Sequence, residues 1–503
     1  MLEVYTMAFL CAIICVNVDC GPLPEHIVYP KLLETRGING QKVLHIKNGL
    51  TLNLEKLSVL ADSLVFTENN NGFPTETIMN GTELEENLYQ DRKKMAAVAV
   101  KKIDDTIEVK GVLSNNLRIA PLPLMARSEG GHLAHRIYGV EPSMYHEGND
   151  PALPDTLPEE HARTKRRTRA AYMKDIPNLF VVEVHVMVDE YHYSEFDRRE
   201  DLVTYFALTI VLVNMRYEHT SNPRIQFLLT SIQKEKGFAQ TFVDYDIDWH
   251  IADRTYAEAN VTFNHLLEKY GRSPADITVA VTGLLLADED SYLMRSRVQG
   301  QARLGGVCNV NYSMVMVEDV PMSFKMVSLL PHELGHALGA PHDGLTYMWN
   351  ECLPPRNSCR RNSDLGNFIM HPSKPGNVNF SDCSKEHMAA FISTLPPSCF
   401  DLKTKQNCTT EVKELPGVSA NLTNICKRAH PNFLKWNVNT DRLKSGCRFE
   451  CCSPIPKDSR EEATCDDHHL PDGADCGGGK RCVRGKCGYY DKYGAPTTRP
   501  QDA

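Results

Sequence analysis

The most informative absence in this 503-residue chain is that of cysteine over most of its length. Of the 17 cysteines, the third is Cys20, the fourth is Cys308 and the last is Cys487. The gap excludes a disulfide framework from residues 21–307. The even number of cysteines crowded between Cys308 and Cys487 is typical of such a framework in an exported chain.

A strong positive charge is also lacking, because the formal net charge is -9. A mildly acidic chain has no overall attraction to nucleic acid or to anionic membranes. No apolar run beyond the N-terminus reaches the length of a transmembrane helix, and the polar segment after Cys487 is unlike a lipid-anchor signal. We therefore expect neither nucleic acid nor a membrane span among the interactions of this protein.

The N-terminus carries an apolar run, Met7–Val18, which is too short to cross a bilayer. Its place predicts a secretory signal over residues 1–20, although the preceding residues lack the usual positive charge. A buried strand or helix is the alternative interpretation. Asn-x-Ser/Thr triplets are compatible with export and with glycosylation. They lie at Asn80, Asn260, Asn311, Asn379, Asn407 and Asn421.

Residues 21–169 form the first domain-sized segment, and short alternating or apolar runs dominate it. Lys42–Ile46 and Thr106–Val112 are examples, and turn signals at Asn70-Asn71-Gly72 and Asn80-Gly81 separate such runs. The pattern predicts a strand-rich domain.

A Pro-rich acidic stretch at residues 151–160 leads into a basic run, and together they predict an exposed linker. Within the run, Arg163, Lys165 and Arg166 fit the Arg-x-Lys-Arg pattern that processing proteases of the secretory pathway cut. We therefore predict cleavage here, which would make residues 21–169 a prodomain. An inert solvated linker is the alternative.

Residues 170–402 show strands alternating with helices, which predicts an α/β sandwich. The predicted strands are Leu179–Val188, Arg224–Ile232 and Asp276–Thr282. The predicted helices are Glu195–Tyr217 and Thr255–Tyr270. Over residues 403–503 regular periodicity fades and cysteines dominate, which predicts a small disulfide-rich module.

One segment carries the chemistry, and it contains His332, Glu333, His336, Gly339 and His342. Histidines four residues apart lie on one face of a helix, where both imidazoles can bind one ion. Gly339 can adopt a backbone conformation that lets the chain leave the helix sharply and bring His342 round as a third ligand. Chance supplies a bare His-Glu-x-x-His often, but rarely this longer pattern.

Three protein ligands leave one position open for water, as in catalytic rather than structural zinc sites. Zinc would lower the pKa of that water to about 7 and polarise a substrate carbonyl. Glu333 would act as the general base and then deliver the proton to the leaving amine. The residues therefore predict a zinc endopeptidase.

The chain resembles the reprolysin (adamalysin) branch of the metzincin proteases over about residues 172–402. The segment around Met370 resembles the Met-turn of the family, and Gly300–Cys308 resembles its edge strand. The resemblance implies a metzincin domain with a mixed sheet and an active-site helix. It places Met370 beneath the histidines, Asp343 in support of the third histidine, and substrate antiparallel to the strand around Ala302.

The resemblance also implies a calcium site at Glu183, Asp276 and Asp401, for which ordinary carboxylates are the alternative. Members of the family carry Asn near the last of these positions. Calcium is therefore expected as a second cofactor beside zinc only if these three residues come together.

The C-terminal segment Asp472–Gly488 resembles the end of the cysteine-rich module of thrombospondin-motif metalloproteases, although neither an Arg-Gly-Asp triplet nor a thrombospondin-like repeat occurs. The whole order of segments is similar to the secreted reprolysins of arthropods, notably the salivary type of ticks. The resemblance implies a secreted enzyme acting on matrix or plasma proteins. A catalytically silent protein that binds partners through its cysteine-rich tail is the alternative, and Glu333 argues against it.

Two features depart from the family. Pro331 stands where the active-site helix is expected, and an interior proline costs roughly 3 kcal/mol. The cysteine gap also removes the prodomain thiolate that is thought to silence many relatives. The precursor would then be blocked sterically near Ala302, or by another zinc ligand, for which His132 and His135 are candidates.

Overall fold

A computed structural model of the protein describes most of the first two segments and short pieces of the third. The predicted signal and the linker with Arg163, Lys165 and Arg166 lie outside the described residues. The described residues are 26–34, 42–70, 73–140, 176–238, 241–244, 254–270, 275–289, 295–309, 311–343, 368–371, 379–402, 422–423, 426, 437–439, 447–452, 465–470, 473–483 and 486–490.

The N-terminal domain is built on a nine-stranded antiparallel sheet in the order β1-β11-β10-β9-β8-β7-β4-β3-β2. Its strands are β1 His26–Val28, β2 Lys31–Glu34, β3 Lys42–Lys47, β4 Leu50–Lys56, β7 Leu88–Asp91, β8 Ala96–Ile103, β9 Thr106–Val112, β10 Leu117–Pro121 and β11 His135–Gly139. Alternate side chains on β3 and β4 are buried, as Leu44 and Ile46 on β3 are, because successive residues point to opposite faces. The prediction of a strand-rich domain is confirmed.

The second domain, predicted over residues 170–402, has a seven-stranded sheet in the order β19-β20-β16-β12-β13-β5-β6. Its strands are β5 Leu60–Asn70, β6 Phe73–Asn80, β12 Leu179–Asp189, β13 Arg224–Glu235, β16 Ile277–Thr282, β19 Gly300–Ala302 and β20 Met314–Glu318. The inner five strands are parallel, and β19 and β6 run antiparallel at the two edges. The α/β prediction for this domain is confirmed.

Two of these strands come from the N-terminal segment, which the sequence did not predict. β5 pairs in parallel with β13, with Leu60 opposite Leu229 and Phe66 opposite Ile232, and β6 returns antiparallel beside β5. Leu64 and Phe66 are fully buried in the same core as Phe227. The two domains therefore share one sheet and one core.

The described chain has six α-helices. They are α1 Gly81–Leu84, α2 Glu190–Tyr193, α3 Arg199–Tyr217, α4 Ala259–Tyr270, α5 Leu330–Ala337 and α6 Asp382–Ile392. Of these, α3 and α4 correspond to the helices predicted from Glu195 and Thr255, with shifted starts. The helix predicted from Glu195 begins at Arg199. A separate short helix precedes it, and the Asp189 carboxylate caps that helix by accepting a hydrogen bond from His192 N.

The helix predicted from Thr255 was wrong at its N-terminus. Residues 254–258 pair as a strand of a small sheet in the order β14-β15-β17-β18. These strands are β14 Thr241–Asp244, β15 Arg254–Glu258, β17 Leu285–Glu289 and β18 Arg295–Arg297. Pairing of β15 with two neighbours overrides local helix propensity here.

The described residues of the C-terminal module include two three-stranded sheets whose core contains cystines. Its strands are β21 Asn437–Asn439, β22 Arg448–Cys452, β23 Cys465–His469, β24 Asp475–Gly477, β25 Lys480–Val483 and β26 Lys486–Gly488. The described disulfides are Cys308–Cys399, Cys426–Cys451, Cys447–Cys482, Cys452–Cys465 and Cys476–Cys487. None of the described helices has the length and apolarity needed to cross a membrane.

Candidate metal centre

The active-site helix α5 begins one residue before Pro331, so the proline lies in its first turn. There the backbone N–H groups have no partner within the helix, and the fixed φ of proline suits the helix start. The expectation of a costly interior proline is therefore wrong. Tyr217 of α3 fixes this end, because its hydroxyl donates to Pro331 O at 2.8 Å.

Three imidazoles converge from α5 and the turn that follows it. The Nε2 atom of His332 lies 3.1 Å from that of His336 and 3.2 Å from that of His342, and the last two are 3.3 Å apart. Gly339, at φ +91, turns the chain out of the helix, as the sequence predicted. Three nitrogens bound to one tetrahedral zinc at about 2.0–2.1 Å lie about 3.3 Å apart, so the spacing fits zinc.

Hydrogen bonds to carbonyl groups set the protonation of two rings. The Nδ1 atom of His332 donates to Ile369 O at 2.7 Å, and Nδ1 of His336 donates to Ala340 O at 2.8 Å. Since a carbonyl only accepts, each neutral ring carries its proton on Nδ1 and its lone pair on Nε2. Lone pairs that face each other at 3.1 Å repel unless a cation lies between them. The donor set therefore fits a metal ion.

Met370 packs directly against the active-site helix at a glycine. A Cβ atom on Gly335 would lie 2.5 Å from the sulfur of Met370, so only glycine admits the methionine this close. Met370 is fully buried, and its carbonyl accepts a hydrogen bond from Asp343 N at 2.8 Å. The carboxylate of Asp343 in turn accepts from the hydroxyls of Ser381 and Ser384 at 2.5 and 2.9 Å, which ties the third histidine's segment to α6.

Glu333 projects from α5 against the edge strand β19. Its side chain is fully buried, and a Cβ atom on Gly300 would lie 2.7 Å from its Oε1 atom. The chain after β19 also contacts the end of the helix, since Gly305 N donates to His336 O at 2.9 Å. Glycine at the start of β19 therefore makes room for the carboxylate between the histidines and the sheet edge.

A buried polar network beneath the segment before α5 was not predicted. The Oδ2 atom of Asp319 accepts hydrogen bonds from Tyr205 Oη at 2.5 Å and from His192 Nε2 at 2.9 Å, and its Oδ1 atom accepts from Met326 N at 2.9 Å. Burial, and then the charge of Asp319, raise the pKa of Tyr205 well above its ordinary value. A single Asp after an apolar strand gives no sequence signal for such a network.

His135 has no ring nitrogen left for zinc. Its Nε2 atom accepts from Val109 N at 2.9 Å, and its Nδ1 atom donates to Leu133 O at 3.0 Å. The residue is fully buried in the N-terminal sheet, and burial lowers its pKa. Its two hydrogen bonds give it a structural place in the sheet, and the suggestion that it blocks the metal is wrong.

The carboxylates predicted to bind calcium are partly brought together. Glu183 and Asp276 are buried neighbours, because Glu183 N donates to the Asp276 carboxylate at 2.9 Å and Asp276 N donates to Glu183 O at 3.0 Å. Asp401 is exposed two residues after Cys399. The disulfide between Cys308 and Cys399 links these regions, since Cys308 N donates to Asp276 O at 2.9 Å. Calcium binding stays a prediction.

Comparison with known proteins agrees with this geometry. The model of the family described as Metallo-peptidase family M12B Reprolysin-like matches residues 291–394, which include β19, α5 and the segment of Met370. Over these residues the chain is similar to reprolysin-like metalloproteases.

The metalloproteinases to which the chain is similar are distant in sequence. Venom metalloproteinase BumaMPs1 of Olivierus martensii is 24% identical over 63% of this chain and 80% of its own length. A disintegrin and metalloproteinase with thrombospondin motifs 13 of Mus musculus is 24% identical over 43% of this chain, which spans only 14% of that protein. A disintegrin and metalloproteinase with thrombospondin motifs like of Bombyx mori is 22% identical over 80% of this chain and 64% of its own length.

Proposed function

We propose that this protein is a secreted endopeptidase that cleaves extracellular proteins, with His332, His336 and His342 as zinc ligands and Glu333 as the general base. The observation that carries the proposal is the convergence of three Nε2 atoms within 3.3 Å of one another, next to a buried glutamate and an edge strand. Two of the ligands and the base are separate groups on one short helix, and His342 follows in the turn after it.

When bound, zinc supplies Lewis acidity, which lowers the pKa of a water ligand and polarises a peptide carbonyl. Glu333 accepts a proton from the nucleophile and delivers it to the leaving amine. The strand β19 is the last of its sheet in the described chain, so its outer side can bind an extended substrate backbone by strand addition. Burial of the carboxylate and imidazoles keeps competing water away from the reaction.

Several further assignments belong to this proposal. Residues 21–169 are the prodomain, released from covalent linkage by a processing protease at Arg163–Arg166, and residues 403–503 form an accessory module for docking matrix or plasma proteins. The described disulfides favour an oxidising, extracellular location. Glu183 and Asp276 form one side of a calcium site, to which Asp401 is the proposed third ligand.

The decisive experiment separates the base from the ligands. Glu333→Gln should keep stoichiometric zinc, measured by mass spectrometry of the metal, and lose about 10³-fold in cleavage of a fluorogenic peptide library. His336→Ala should lose both the bound zinc and the cleavage activity. The exposed Glu195 offers a matched control, and Glu195→Gln should retain full activity. Near wild-type cleavage by Glu333→Gln would remove Glu333 from the mechanism, and absence of cleavage in the wild type would favour a binding protein.

A further inference from the structure

We infer that the N-terminal domain stays bound to the catalytic domain after linker cleavage, so that the active enzyme is a complex of two chains, and that Arg118 acts in it as a positioning residue for the active-site helix. The inference rests on the proposed cleavage and zinc chemistry. It assigns the N-terminal domain a permanent structural function in place of release or obstruction.

The first argument is that the N-terminal segment completes the catalytic sheet. β5 supplies the parallel neighbour of β13, with backbone pairing from Leu60 to Thr67. Phe66 and Leu64 are fully buried against the catalytic core. Each such side chain contributes about 1.5–3 kcal/mol when buried. Departure of the domain would expose these side chains and leave the ladder groups of β13 unpaired.

The second argument is the composition of α3, which is apolar on all sides. The helix packs on β13 of the seven-stranded sheet and also on β8 and β9 of the N-terminal sheet. Met95, Ala97 and Val112 of the N-terminal domain belong to the same core cluster as the helix. A helix without a polar face requires cover on both sides. The N-terminal sheet is that cover.

The third argument is a set of polar contacts from the N-terminal sheet to the segment just before α5. The guanidinium of Arg118 is buried and donates from Nε to Ser323 O at 2.8 Å and from Nη2 to Phe324 O at 3.1 Å. Tyr138 Oη donates to Met322 O at 3.1 Å. Met322 and Phe324 have φ of +64 and +53, conformations that side chains rarely adopt without support.

These contacts lead directly to the zinc site. Phe324 O also accepts from Val327 N at 3.4 Å, which is the first bond of the 3₁₀ turn Lys325–Ser328. That turn runs into α5, the helix that carries His332. Arg118 therefore donates to the carbonyl of Phe324, which is also the first acceptor of the turn that precedes the active-site helix.

The described part of the N-terminal domain also lies away from the substrate edge. The strands β20, β16, β12 and β13 separate β19 from β5. The predicted steric block along the strand around Ala302 therefore has no counterpart among the described residues, where β19 pairs only with β20. The domain can remain in place while substrate binds at β19.

The first experiment tests retention on the full chain. A site-specific protease sequence is inserted after Arg166, a tag is placed after Ala503, and the cut protein is captured through the tag in 1 M salt. We expect the N-terminal fragment to co-elute in equimolar amount, because salt screens the surface ion pairs but not the shared sheet and core. A catalytic fragment that elutes alone, folded and equally stable, would overturn the inference. Co-elution requires no catalysis, so an inactive enzyme would refute the proposed function without affecting this test.

The second experiment tests Arg118. In the cut complex, Arg118→Ala should lower kcat about tenfold with KM within twofold and accelerate zinc loss to a chelator, and Arg118→Lys should restore part of both. Arg127 is the control, since its exposed guanidinium donates to Gly131 O within its own domain. Unchanged kcat and zinc loss in Arg118→Ala would end the assignment of Arg118. If that variant does not fold, the Lys variant supplies the same two measurements.

Discussion

The two edges of the seven-stranded sheet differ, because one is open and the other is covered by a hairpin from the N-terminal segment. At one edge β19 has three residues, lies beside Glu333 and has no further strand outside it in the described chain. At the other edge the N-terminal segment adds β5 and the eight-residue β6. The comparison teaches that one edge must stay open to bind an extended peptide, whereas the second open edge would be a liability.

The covering hairpin also has an outer edge of its own, and its composition limits further pairing. β6 carries Pro74, which lacks an N–H donor, and an exposed Glu76. It ends at Asn80, whose side chain accepts from Glu83 N and starts α1 at once. Proline and charge on an edge strand discourage the addition of another chain. The open edge at β19, in contrast, is short and neutral.

The largest effect is expected at the covered edge. Phe66→Ala should lower the free energy of unfolding of the shared sheet by about 3–5 kcal/mol, because it leaves a cavity beneath β13. The exposed Ile78 on the neighbouring strand is the control, and Ile78→Ala should change it by less than about 0.5 kcal/mol. Urea unfolding followed by tryptophan fluorescence and by zinc release should give one shifted transition. A zinc-release midpoint that does not move would show that the covered edge is independent of the site.

At the open edge, Gly300→Ala should reduce kcat/KM about 100-fold at unchanged zinc content. The new Cβ atom would lie 2.7 Å from Oε1 of Glu333, and a displaced catalytic group loses about that factor. The exposed Glu195→Gln variant, away from this strand, is the control. Steady-state cleavage of a peptide substrate is the measurement. Wild-type activity in Gly300→Ala would mean that the carboxylate does not need this space.

Between the two edges, β12 carries His185, whose pKa is lowered to about 4 by burial. In the unfolded chain the pKa of this histidine has its ordinary value of about 6.5. Below pH 6.5 the unfolded chain therefore binds a proton that the folded chain does not, and the free energy of unfolding falls as the pH is lowered toward 4. Between pH 7.5 and pH 4.5, His185 should lower the free energy of unfolding by about 2.5 kcal/mol. His185→Gln should abolish this loss.

Urea unfolding of both proteins at the two pH values tests this expectation, because protonation of the zinc ligands affects wild type and variant alike. The difference in unfolding free energy between them should shift by about 2.5 kcal/mol in favour of the variant at pH 4.5. A difference that stays constant with pH would contradict it.

The smallest effect is expected at Pro331. Because the proline lies in the first turn of α5, Pro331→Ala should destabilise by about 0.4–1 kcal/mol through the freer unfolded chain and leave kcat unchanged. Thermal unfolding monitored by calorimetry would detect the shift. A gain in stability would contradict the first-turn assignment and restore the interior-proline interpretation.

The site could be predicted from sequence far better than the joint between the domains. His332, Glu333, His336 and Gly339 lie within one helix and its exit turn, where fixed spacing determines geometry. Their supports come from distant parts of the chain, since Tyr217 donates to Pro331 O, His332 donates to Ile369 O and Asp343 N donates to Met370 O.

The pairing of β5 with β13 joins residues far apart in sequence, and alternating polarity predicts a strand without naming its neighbour. The apolar composition of α3 carried a usable signal, because a helix without a polar face needs cover on both sides. Arg118 carried none, since a single arginine in an alternating strand is typical of a solvated face. The need of residues 322–324 for support is known only from the structure, in which Met322 and Phe324 have positive φ values.

The shared sheet also sets an order of events during synthesis. Leu60 and its strand leave the ribosome well before Leu229, with which they pair. At about 5–20 residues per second the hairpin of β5 and β6 waits roughly ten to thirty seconds for its partner. Throughout that interval the inner side of β5 is an exposed apolar edge. A pause in translation or export between these two strands would therefore prolong the period in which the nascent chain needs a chaperone.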